Sequence, residues 1–263
     1  MIKSVYFVAI LIMAQLLPIL GCKSLAGFIY SKGVVFTVAI KANDGVSDEL
    51  IDRALSITES KMRDLRLKGE VIRSTEARDQ IQVKIYGEHD LERLRRILFQ
   101  TYRLELKPLV SPPSPSPAQV FSNRDDAEAA AASDQQVLPY SERENDSEQF
   151  VIVKKDAIVT GEHIEYADAV SRTGNDDDNQ ISFRLSKAGA ERMEHWTNRN
   201  INNYLAIVLN DQVISTAYIR SVISDAGEIS GRFTKESAEE LAMSLNSGYL
   251  PATMTVIQER LFE

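Results

Sequence analysis

Between Val151 and Phe262 the sequence alternates short apolar runs with two amphipathic stretches. That order constrains the fold strongly. Apolar runs of about four to eight residues suit strands, and the longer stretches have helical spacing. Phe150–Val153 opens the series and Ile181–Leu185 continues it. Ala188, Met193, Trp196 and Thr197 then lie along a helix from about Lys187 to Asn198. Leu205–Leu209 is wholly apolar, and Asn210-Asp211 gives a two-residue turn into a strand over Val213–Ile223. Thr234 caps a helix running to Asn246, with Glu236, Glu239 and Glu240 near its positive end. Gly248 stops that helix, and Thr253–Ile257 alternates as a last strand.

The same reading along residues 33–110 gives strand, helix, strand, strand, helix, strand. Val34–Ile40 is rich in β-branched residues, and Ser47 caps a helix marked by Ile51, Ala54, Leu55, Thr58, Met62 and Leu65. Val71–Arg73 and Gln80–Ile85 are the middle strands, the second alternating Ile81, Val83 and Ile85 against polar residues. Leu91, Leu94, Ile97 and Leu98 mark the second helix, and Tyr102–Leu109 closes the set. The fold class is α+β, and this first module has the ferredoxin-like β-α-β-β-α-β order. Residues 111–150 change character. Ser111–Pro117 is half proline, Arg124–Ser133 allows only a brief helix, and Tyr140–Ser147 is charged. They are expected to be a flexible linker to a second module over 151–263.

The first 21 residues read as an export signal. Lys3 precedes an apolar run from Val5 to Leu20. Ile19-Leu20-Gly21-Cys22 resembles the lipobox of bacterial lipoproteins, which implies lipid attachment at Cys22 and a tether over 22–32. Cys22 is the chain's one cysteine, so no intrachain disulfide forms, and acylation removes a lone thiol. An uncleaved membrane anchor is the alternative. Both place the bulk of the chain outside the cytoplasm, held to a membrane. Asp and Glu outnumber Lys and Arg by 38 to 30, a net charge of −8 that argues against nucleic acid as a partner.

Motifs for catalysis are missing from the sequence. It has neither a phosphate-cradling Gly-x-x-x-x-Gly-Lys-Ser loop nor a Gly-x-Ser-x-Gly elbow. His89, His163 and His195 are scattered, without the His-Glu-x-x-His spacing of a catalytic zinc. Asp176-Asp177-Asp178-Asn179 resembles a calcium loop, but counting from Asp176 puts Ile181 and Lys187 where glycine and glutamate belong. A solvated turn is the better reading. No catalytic residue, metal or cofactor is expected, and the chain is not read as an enzyme.

An ordered series of short matches resembles the SecD family of protein-export membrane proteins. It runs from Thr160-Gly161-Glu162 and Ala167-Asp168-Ala169 through Ser182-Phe183, Gly189-Ala190 and Leu205–Asn210. It continues through Ile229-Ser230-Gly231 and Phe233 to Leu245–Ala252. Arg78–Val83 with Tyr86-Gly87 extends the resemblance into residues 33–110, with Tyr86 in place of a family proline and Arg66 in place of a family glycine. The resemblance implies a base over 33–110 and a head over 151–263. It also implies contact with unfolded exported polypeptides and with the Sec translocon. Phe233, Tyr249 and Leu250 are the candidate contact residues. With nothing after Leu20 long and apolar enough to span a bilayer, the expected form is a lipid-anchored module without the family's proton-driven motor. The alternative is an envelope scaffold that uses the same fold for assembly.

Overall fold

The computed structural model describes residues 32–43, 45–112, 116, 118–140, 149–172 and 178–263. Cys22 and the loop residues Asp176 and Asp177 lie outside them. Two units share the chain, each with its own core.

The first is a two-layer unit. Its strands are β1 (Gly33–Lys41), β2 (Gly69–Arg73), β3 (Gln80–Tyr86) and β13 (Thr253–Phe262), in the order β13-β1-β3-β2. Helices α1 (Asp48–Asp64) and α2 (Leu91–Phe99) cover one face. Period-2 alternation places Phe36 and Val38 on β1, and Ile81, Val83 and Ile85 on β3, under those helices with no exposed surface. Phe36 meets Phe99 edge-on at 5.2 Å. Ser47 and Asp90 cap the helices by accepting the Leu50 and Arg93 amides, each at 3.2 Å.

Helix α1 ends in a Schellman turn. The Leu67 amide reaches the Met62 carbonyl at 2.8 Å and the Arg66 amide reaches Arg63 at 2.9 Å. Arg66 therefore sits in the left-handed region at φ 55°, where a side chain costs energy and glycine does not. R66G is expected to raise the midpoint of chemical denaturation, by about 0.5–1 kcal/mol of stability.

The strand at Tyr102–Leu109 does not close this unit. As β4 (Leu104–Pro108) it leaves for the second unit, and β13 from the far end of the chain takes the place beside β1. Both segments alternate, and alternation does not say which sheet a strand joins.

The second is a double-sheet unit. One sheet contains β4, β5 (Gln135–Tyr140), β6 (Gln149–Lys154), β7 (Val159–Thr160), β10 (Tyr204–Leu209) and β11 (Gln212–Tyr218), in the order β6-β5-β11-β10-β4-β7. The other runs β12-β9-β8, from β8 (Ile164–Ser171), β9 (Asn179–Leu185) and β12 (Ala226–Phe233). Helix α4 (Lys187–Arg199) buries Met193, and helix α5 (Lys235–Ser247) buries Ala238, Leu241 and Leu245 in the shared core. Asn210 and Asp211 both have left-handed φ, 49° and 63°, which makes the β10–β11 connection a primed hairpin turn. Strand β8 is an edge. There Asn246 of α5 receives the Ala167 amide and donates to the Ala167 carbonyl, both at 2.7 Å, as a neighbouring strand would.

The expected linker over 111–150 is largely packed. Asn123 caps α3 (Arg124–Ala130), and Ala127 on it is fully buried. β5 pairs along its length with β6, burying Val137, Leu138 and Tyr140. Pro139 hides this strand in the sequence, because proline lacks the ladder donor. It is tolerated here because the β11 side of β5 has a single ladder pair, Val213 with Tyr140.

Candidate functional site

The chain passes between the two units twice, at 100–103 and at 248–252, and a cleft of about 760 Å3 opens where the crossings run together. Lys41, Asn43 and Ser47 line it from the two-layer unit, and Asn210 and Asp211 from the hairpin turn. Thr101, Arg103, Tyr249 and Pro251 line it from the crossings. Arg103 is pinned on three sides. Its amide donates to Asn210 Oδ1 at 2.8 Å, its carbonyl accepts from the Asn210 amide at 3.0 Å, and its guanidinium pairs with Asp211. The hairpin turn is thereby fastened to the first crossing.

Beside the cleft the units are joined by charge. Arg96 of α2 donates through Nε to both carboxylate oxygens of Glu240 on α5, at 2.8 and 3.1 Å, and through Nη2 to Glu236 at 2.9 Å. Glu240 is almost entirely enclosed, and this bifurcated, charge-assisted bond compensates part of its desolvation. Lys61 of α1 is 1% exposed. Its ammonium donates to the Leu98 carbonyl at 3.4 Å and the Gln100 carbonyl at 3.0 Å, at the negative end of α2. Burial lowers its pKa to about 8 despite the attraction of Glu240. The Tyr102 hydroxyl is pushed up to about 12, first by burial and then by Glu240.

Two of the three candidate contact residues line the cleft. Leu250 is 5% exposed and belongs to the two-layer core, and it borders the cleft from there. Phe233 ends β12 against the margin of the double-sheet core. Tyr249 lines the cleft beside Leu250. It is half-buried, its hydroxyl pKa is raised chiefly by burial, and it also borders a hollow of about 280 Å3 beside Gly161. Arg103, Asn210, Lys61 and Glu240 were missed as site residues. A signal existed for Lys61, which interrupts the apolar stripe of Ile57, Thr58 and Met62. Among the described residues no His, Cys, Asp and Glu side chains gather into a set fit to hold a metal ion.

This arrangement has known relatives. Residues 135–252 match the family model of the SecDF P1 head subdomain, so β5 belongs to the head rather than to a linker. The protein translocase subunit SecD of Koribacter versatilis is 30% identical over 225 residues, covering 82% of this chain and 39% of its own length. SecD of Aquifex aeolicus is 29% identical over 218 residues, covering 82% of this chain and 40% of its own. The chain thus spans about two-fifths of the curated relatives it matches. Two solved structures share the fold. One is SecDF in a super-membrane-facing form, with a TM-score of 0.66 at 21% identity over 89% of this chain and 31% of that one. The other is from work on SecDF as a membrane component that enhances protein export, with a TM-score of 0.63 at 20% identity over 86% of this chain and 99% of that one. We call the two-layer unit the base and the double-sheet unit, which carries most of the matched residues, the head; residues 135–252 belong to the SecDF P1 head family, and over 82% of its length the chain is similar to SecD subunits of the protein translocase.

Proposed function

We propose that this chain works outside the cytoplasm in Sec-dependent protein export, attached to a membrane through Cys22 and engaging exported polypeptides at the cleft between base and head. Family membership supports the export role. The cleft carries the assignment of the site. Its lining is mostly polar, with amide, hydroxyl and paired charged groups around the single ring of Tyr249. Such a lining suits an extended backbone, whose donors and acceptors recur whatever its sequence. It offers no grouping of nucleophile, base and oxyanion donors that would act on a substrate. Among the described residues no helix is long and apolar enough to cross a membrane.

The test is site-directed photocrosslinking in inverted membrane vesicles carrying the full chain and a stalled secretory polypeptide. A photoreactive residue at Tyr249 is expected to form adducts with the stalled polypeptide. The same residue at Val222, an exposed head position, is the control. Equal yields at the two positions would refute the cleft as the contact site.

A further inference from the structure

The head carries a second hollow, away from the cleft. The chain leaves the cleft at Arg103 and runs along β4 to Pro108, about 16 Å further on. There α4 stands beside the segment 154–158, and a pocket of about 370 Å3 lies between them. It shares no lining residue with the cleft. Helical spacing puts Arg192, His195 and Trp196 on one face of α4, and that face is one wall. The Trp196 ring and Ile158 supply its apolar surface, Trp196 half-buried against the head core and Ile158 8% exposed. Lys154 and Asp134 close one side as an ion pair at 2.5 Å, so each answers the other's charge.

Two opposite charges in the pocket are left unmatched. Arg192 donates through Nε to the Ile158 carbonyl at 2.8 Å, which holds its guanidinium at the pocket. Its two terminal nitrogens have no partner among the described residues. Asp156 lines the same pocket, and neither its carboxylate nor the His195 ring has a partner among those residues. A lone surface charge signifies little. Two of opposite sign in one apolar-walled pocket, one of them held in place by a backbone bond, fit a ligand that carries both signs beside an apolar body.

We propose that this pocket binds a free α-amino acid with an apolar side chain. The carboxylate accepts from the terminal nitrogens of Arg192, with the His195 ring as a further donor. The ammonium donates to Asp156, and the side chain lies on Trp196 and Ile158. The pocket is near the lower end of the sizes found for small-molecule sites, which suits a single amino acid. The site is independent of the cleft and of the export role.

Trp196 is the chain's single tryptophan, so its emission reports from the pocket wall. The full chain is titrated with L-leucine, N-acetyl-leucine and leucinamide, none of which absorbs with tryptophan. Acetylation removes the ammonium, as in the last residue of a polypeptide, and amidation removes the carboxylate, as in the first. Leucine is expected to change the emission saturably. Each analogue should bind at least about tenfold more weakly, because it leaves one charge of the pocket unmatched. D156N should abolish the preference for leucine over N-acetyl-leucine, and R192Q the preference for leucine over leucinamide. An unchanged preference in D156N would overturn the proposal, even were R192Q to misfold. Either analogue binding as tightly as leucine would overturn it in favour of a polypeptide terminus. Emission indifferent to all three compounds would overturn the site itself.

Discussion

Fragment 33–110 is expected to be unfolded, and the full chain cut before Thr253 is expected to lose the base while keeping the head. β13 pairs with β1 along all nine of its residues. Met254 on β13 is 6% exposed and Val256 packs beside it against the base core. Glu259 accepts two bonds from Arg95 of α2, at 2.7 and 2.9 Å. Removing the strand uncovers the inner edge of β1 and the apolar surface beneath Met254. One buried and one half-buried apolar side chain and a lost ladder amount to about 5 kcal/mol, which equals the whole stability of many small domains. Amide spectra read this directly. The truncated chain should show dispersed head resonances and collapsed base resonances, and adding residues 250–263 back to fragment 33–110 through a short linker should restore dispersion. A well-dispersed spectrum from fragment 33–110 alone would show that β4 can close the sheet and that the pairing with β13 is dispensable.

Lys61 should give the chain an unusual alkaline stability profile. Its pKa is about 8 in the folded protein and 10.5 when free, so between those values the unfolded state holds a proton that the folded state has released. Stability rises with pH wherever the unfolded chain binds more protons. The penalty for the buried ammonium is fully present below pH 8 and is relieved as pH climbs toward 10.5, by about 3 kcal/mol in all. Tyr102 acts in the opposite direction, since a hydroxyl raised to about 12 costs stability above pH 10. The comparison therefore belongs between pH 8 and 10. Denaturation midpoints of the wild type should rise across that range, and those of K61M should not. At pH 7 the variant should be the more stable by about 1 kcal/mol, because relief of desolvation exceeds the cost of two uncovered carbonyls. Parallel profiles for the two proteins would place the ammonium in a wetter setting than the geometry shows.

Local chemistry was legible in the sequence, while long-range pairing was not. Ser47, Thr234, Asn210-Asp211 and Gly248 each signal a cap, turn or stop through their own residue type, and each occupies that position. Arg66 holds a left-handed position that glycine would occupy at less cost, because the Schellman bonds outweigh the cost of its side chain. β4 and β13 are both short alternating strands, and only the packing of the finished molecule decides which one flanks β1. β5 was obscured by Pro139, and β8 and β12 by charged and small residues on their exposed faces. The junction was the least legible part. Arg96 and Glu240 are separated by 144 residues, and each reads alone as an ordinary charge on a helix surface.

The amide of Asn246 has a consequence for how such a molecule survives its own work. A sheet that ends in bare backbone invites any extended chain to zip onto it, and a protein stationed among unfolded chains meets many. By occupying the outward groups of Ala167, one side chain blunts that flank of the head without adding a strand. In the proposed role, this would turn visiting chains from permanent annealing along the lamina toward brief holding at the cleft.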